Sequence, residues 1–114
     1  MRLKTSKRGI KEIEYLLPKI KQHMVDTYGG RLESVVLFGS FAKNNATSGS
    51  DIDIAIILKG DVNTSREIDR IIGFISDTGL EHDELISILP VSSDDIDNSA
   101  WPLYKSLREE GVAI

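Results

Sequence analysis

Asp51 and Asp53 stand at the head of an alternating stretch, Ile52, Ile54, Ile56 and Leu58. The two-residue period of an extended chain sends both carboxylates to one face while the apolar residues go to the core. Two carboxylates on one patch repel each other, which raises a pKa unless a cation offsets it. Hard oxygen donors of this type suit Mg²⁺ or Mn²⁺ bound jointly with substrate phosphates. Upstream, across the spacer 41 to 50, an apolar run Val35 to Phe38 stops at Gly39-Ser40. Glycine lets a backbone approach a polyphosphate closely. Free N–H groups at the start of a short helical turn through Phe41, Ala42 and Lys43 would point at the anion, with the Ser40 hydroxyl as a further donor and Lys43 as a cation. Each feature alone is commonplace, since Gly-Ser often serves as a turn and Asp-x-Asp often lies on a solvated strand face. Together they describe a metal-phosphate site.

The elements that must position these residues are legible from periodicity. Ile10, Ile13, Leu17, Ile20 and Met24 draw one apolar stripe down a helix from about Ser6 to Tyr28, ended by Gly29-Gly30. Pro18 interrupts the hydrogen-bond ladder of that helix, but the stripe continues through it, so a kink rather than a break is expected. Val35 to Phe38 reads as a strand buried on both faces, residues 44 to 50 as a polar loop, and the segment from Asp51 as a second strand. Thr64 and Glu67 have the spacing of a capping box, and Ile68, Ile71, Ile72 and Ile75 form the apolar face of a helix ending near Gly79. Leu85 to Val91 reads as a third strand. Trp101 to Glu110 reads as a last helix with Pro102 in its first turn and Gly111 at its end, and Val112 to Ile114 as a short edge strand. This order predicts an α/β fold, a small mixed sheet of three to four strands covered by helices, as one domain over residues 1–114.

Composition bounds the chemistry. The chain of 114 residues is 40% hydrophobic and 28% charged, the balance of a soluble globular domain. It has no cysteine, which excludes disulfides and thiolate-bound metals. No apolar run approaches the roughly 20 residues that span a bilayer and no signal-peptide pattern opens the chain, so a cytoplasmic location is expected. Arg2, Lys4, Lys7, Arg8 and Lys11 make the opening basic, but the formal net charge is −4. General nucleic-acid binding, which needs a basic face over the whole domain, is not expected. The basic opening reads as a solvated helix end. His23 and His82 lack ligand spacing, and Asp94, Asp95 and Asp97 lack the spacing and glycine of a calcium loop. The aspartates are expected to cap or precede the last helix, and Trp101 to anchor its packing.

The segment LFGSFAKNNATSGSDIDIAII, residues 37 to 57, resembles the signature of the nucleotidyltransferase superfamily, which includes DNA polymerase β and the kanamycin nucleotidyltransferases. Its spacer is similar to that of the minimal nucleotidyltransferases often paired with HEPN-domain partners. The flanking helices and the closing PLYKSLREEGVAI follow the order such proteins show. The resemblance implies Mg²⁺-dependent transfer of a nucleoside monophosphate, AMP from ATP, to a hydroxyl. Gly39 and Ser40 would hold the β- and γ-phosphates, and Asp51 and Asp53 would coordinate metal. It also implies a third carboxylate on the following strand. The strand's apolar run favours Glu84 there, whereas alternation favours Asp83, which would share a face with Leu85 and Ser87. With no separate substrate-binding domain read in the chain, a partner is expected to complete the site. The family implies a HEPN-domain toxin whose tyrosine is modified, making this chain an antitoxin. Two alternatives stand beside this: a non-catalytic module that neutralises its partner by occlusion, and a transferase acting on a small molecule such as an aminoglycoside.

Overall fold

Helix and strand follow one another around a single sheet in the computed structural model, which describes residues 7–114. Arg2 and Lys4 of the basic opening, and Ser6, the expected start of the first helix, lie outside the described residues. The elements are α1 (Ile10–Ile13), α2 (Leu17–Tyr28), β1 (Leu32–Phe38), α3 (Gly39–Ala42), β2 (Ile52–Leu58), α4 (Thr64–His82), β3 (Ile86–Ser92), α5 (Ser93–Asn98), α6 (Pro102–Glu110) and β4 (Val112–Ala113). The strands lie in the order β3-β2-β1-β4. β1 pairs antiparallel with both β2 and β4, and β3 pairs parallel with β2 after the α4 crossover. The mixed α/β architecture expected from the sequence is the one observed.

The first helix departs from expectation. It breaks into α1 and α2 across a turn at residues 14–16, with Pro18 in the first turn of α2. Proline has no N–H to bond the carbonyl of Glu14, and its ring crowds that carbonyl, so the ladder stops and restarts where a missing donor costs nothing. The apolar stripe survives because both pieces pack on the same sheet face. Ile13, Leu16, Leu17, Ile20 and Met24 meet Val35, Leu37, Ile52, Ile54, Ile56 and Leu58 there, together with Ile71 and Ile75 of α4. Each such fully buried aliphatic side chain contributes about 1.5–3 kcal/mol.

α4 starts differently from the expected capping box. Its cap is Asn63, whose side chain accepts the Arg66 N–H at 3.1 Å. Glu67 turns inward instead, where Tyr28 Oη donates at 3.1 Å, Arg31 Nη1 at 3.0 Å and Arg70 Nε at 3.0 Å. Burial pushes the Glu67 carboxyl up, but the hydrogen bonds from Arg31 and Tyr28 outweigh it and hold the group below its ordinary value. Tyr28, buried beside this carboxylate, is pushed up to about 12. The network ties α2, the turn before β1, and α4 together.

The opposite sheet face carries Val36, Ala55, Ile57 and Val91, covered by Ile96 of α5 and Leu107 of α6. The sequence reading did not anticipate α5. Asp94 and Asp95 occupy its first turn behind the Ser92 cap, where carboxylates favour the positive end of the helix dipole. Trp101 was expected to anchor α6 but is 72% exposed. As the residue before Pro102 it is held extended (φ −62, ψ 137), outside the helix. Pro90 lies within β3, tolerated because β3 is an edge strand. Among the described residues no helix is long and apolar enough to cross a membrane.

Candidate active site

β1 delivers Phe38 in an extended conformation (φ −137, ψ −172), and the chain turns at once into α3 through Gly39 at φ 72. Only glycine is comfortable there, for two reasons. The backbone is left-handed, and a Cβ at this position would overlap the Asp53 carboxylate Oδ2. The strand-ending glycine and the second aspartate are therefore in contact, ten residues of loop having folded back between Ser40 and Asp51. Phe41, fully buried, pins α3 to the core. The loop closes through Ser50 Oγ, which accepts the Thr47 N–H at 2.9 Å, while the Ser50 N–H returns to the Thr47 carbonyl at 3.0 Å.

The register of β1 against β2 puts Asp53 opposite Phe38 and Ala55 opposite Val36. Asp51 and Asp53 thus share the sheet face covered farther along by α5 and α6, as alternation requires, while Ile52 and Ile54 enter the opposite core cluster. Burial, and then the neighbouring Asp51 charge, push the Asp53 carboxyl above its ordinary value. Among the described residues neither aspartate has a basic partner within ion-pair distance. Two neighbouring carboxylates with no basic partner among the described residues form a donor set suited to a hard divalent cation.

The remaining expected residues are placed as follows. Lys43 Nζ pairs with Glu110 Oε2 at 3.0 Å, linking α3 to α6. Asp83 lies outside β3 as the left-handed cap of α4 (φ 53), so it falls out of the alternation that suggested it. Glu84 precedes β3 and is gripped by Arg8, with Nη1 donating to Oε1 at 3.0 Å and Nη2 to Oε2 at 2.5 Å. Among the described residues no three acidic or histidine side chains converge as a metal cluster. A groove of about 470 Å³ lies between α4 and β3, lined by Ile75, Leu80, Asp83, Glu84 and Leu85 but not by the Asp51–Asp53 face.

Arg8 was read only as part of a basic run. It docks on the site loop, exchanging backbone hydrogen bonds with Ala46 at 2.6 and 2.9 Å, and its guanidinium stands 5.2 Å from the centre of the Phe41 ring. No periodicity marks this contact, which pairs residues 76 apart in sequence at its Glu84 end.

The mixed sheet covered by helices is consistent with a nucleotidyltransferase fold. The family model described as "Nucleotidyltransferase domain" matches residues 17–113, and the chain belongs to that family. Two similar proteins of Methanocaldococcus jannaschii bear the name "Putative protein adenylyltransferase". MJ0604 is 34% identical over 86 residues, covering 74% of this chain and 79% of its own length, and MJ0141 is 33% identical over 76 residues, covering 67% and 76%. Two crystal structures of mutants of the toxin-antitoxin MntA-HpeT share the fold. One has a TM-score of 0.58 at 18% identity over 84% of this chain and 69% of that one; the other has 0.56 at 20% identity over 86% and 70%.

Proposed function

We propose that this domain transfers AMP from ATP to a hydroxyl of a partner protein, a HEPN-domain toxin, and so acts as an antitoxin. The observation that carries the reading is the contact of Gly39 with Asp53 beside Asp51, which has no basic partner among the described residues. It sets a left-handed glycine backbone, closely approached by one carboxylate, beside a second carboxylate. The adenylyltransferase names of the M. jannaschii relatives support the donor and the acceptor class. The toxin-antitoxin assembly of the structural neighbours supports the partner.

Gly39 and Ser40 would take the terminal phosphates on backbone N–H groups and the Ser40 hydroxyl. Asp51 and Asp53 would hold Mg²⁺, and a bound ion supplies charge neutralisation on the triphosphate and Lewis-acid stabilisation of the leaving oxygens. The acceptor hydroxyl oxygen would bond the α-phosphorus and release its proton to solvent, while the bond from that phosphorus to the bridging oxygen breaks and pyrophosphate leaves. The chain's part is to orient these groups for in-line attack.

The test is to incubate the domain and its partner with each of the four α-labelled nucleoside triphosphates and Mg²⁺. Label on the partner from ATP, lost with Asp51→Asn, with Asp53→Asn and with chelator, is the expected result. A second reading, neutralisation by occlusion without transfer, is favoured by the absence of a three-acid cluster among the described residues. It predicts that Asp53→Asn still neutralises the partner.

A further inference from the structure

We infer that Ser87 is the third group of the metal face, a positioning residue that contributes a neutral hydroxyl in the role for which the sequence offered Asp83 or Glu84. The inference rests on the proposed metal-dependent reading of Asp51 and Asp53. It comes from sheet register. β3 runs parallel to β2 with Ser87 opposite Asp53 and Ile86 opposite Ile52. Partners in adjacent strands stand about 4.7–4.9 Å apart and point to the same side. One row across the sheet therefore reads Phe38, Asp53, Ser87. Asp53 has an aromatic ring on one side and an exposed hydroxyl on the other.

The two carboxylates nearby are engaged elsewhere. Asp83 is the left-handed residue that closes α4, and Glu84 is held by both guanidinium nitrogens of Arg8. The residue at the head of β3 nearest Asp51 is Leu85, whose carbonyl takes the Ile52 N–H at 2.7 Å. Ser87 is thus the polar β3 side chain placed in the Asp53 row. A hydroxyl there reaches a metal ion, or water bound to it, as a weak neutral donor. The chain then offers two negative charges to the cation rather than three. Mg²⁺-type ions held by few carboxylates lean on substrate phosphates for the rest of their shell. The metal therefore enters this site with the triphosphate.

The test is Mn²⁺ binding to the whole chain, read by electron paramagnetic resonance with and without a non-hydrolysable ATP analogue. Native protein should bind Mn²⁺ weakly alone and about tenfold or more tightly with the analogue. Ser87→Ala should weaken binding with the analogue about tenfold, on the scale typical of groups that support a metal shell. Ser87→Asp should strengthen nucleotide-free binding about tenfold, while Ser87→Asn, matching its size without charge, should not, and Glu84→Gln should leave binding unchanged. A Ser87→Ala variant that binds as native, or a Glu84→Gln loss equal to that of Asp53→Asn, overturns the assignment of Ser87. If Asp53→Asn itself changes nothing, the metal face is absent and the functional reading falls with the inference.

Discussion

The α-carbon of Gly39 lies so close to the Asp53 carboxylate that a methyl group on Gly39 would overlap Oδ2. Gly39→Ala therefore carries two costs, a left-handed backbone worth about 1–2 kcal/mol and a displaced Asp53 carboxylate. Nucleotidyl transfer should fall at least about a hundredfold, on the scale of a mispositioned reacting group. Thermal unfolding should show only the smaller loss. A variant that keeps native transfer would sever the link between this contact and catalysis.

Asp53→Asn should separate stability from function. The folded-state pKa of Asp53 is raised, so the native state holds its proton more tightly than the unfolded chain. Stability associated with this group is full below the ordinary value of 3.8 and declines as pH rises through the higher folded value. At neutral pH without metal, Asp53→Asn is expected to be at least as stable as the native chain while losing transfer. Urea titrations at pH 3 and pH 7 check it: the advantage of the variant should appear only at the higher pH.

Glu67 has the opposite sign. Its folded pKa is lowered, so its stabilisation is present above the ordinary 4.5 and is lost as pH falls through the folded value. Glu67→Ala leaves Arg31 and Arg70 without their buried partner and should cost about 3 kcal/mol at pH 7. Tyr28→Phe removes one hydrogen bond to the same carboxylate and should cost about 1–2 kcal/mol. Chemical denaturation of the two variants and their double mutant should show non-additive losses.

Arg8 and Glu84 act as a unit. Arg8→Ala and Glu84→Gln should each lower stability by about 1–3 kcal/mol, as expected for a charged two-point hydrogen bond, with the double variant little worse than either. Hydrogen exchange at the Ala46 amide, which donates to the Arg8 carbonyl, should quicken in both single variants. Equal exchange in native and variant chains would show that the strap is held by backbone alone.

Trp101 offers a control. With 72% of its surface exposed, Trp101→Ala should change stability by less than about 0.5 kcal/mol. It is the single tryptophan, so the native chain should emit as a solvated indole. A blue emission maximum or a large loss in melting temperature would contradict the exposed placement.

The sequence made the site's ingredients visible because each obeys a local rule. Gly39 ends an apolar run, and Asp51 and Asp53 head an alternating one. The three principal strands, α4 and α6 were legible for the same reason, their periods being set by the sheet face or helix face they bury. Contacts made across long stretches of chain were not. Arg8 reaches Glu84 over 76 positions, and Glu67, which local spacing casts as a cap, is drawn inward by Arg31 and Tyr28. Ser87 was placed on a candidate face by alternation, but only strand register shows that it neighbours Asp53. Asp83 misled because one residue in a left-handed conformation is enough to take it off the strand.

Pro90 and the brevity of β4 together decide how this sheet meets the outside. One border is β3, where a proline leaves a gap in any row of donors, and the other is a strand of two residues. Among the described residues β3 with its proline is a poor template for another chain, a feature that disfavours self-templated polymerisation along that border. On the proposed function, a partner would be gripped by side chains from helices and loops, and could be let go without unpicking a shared sheet.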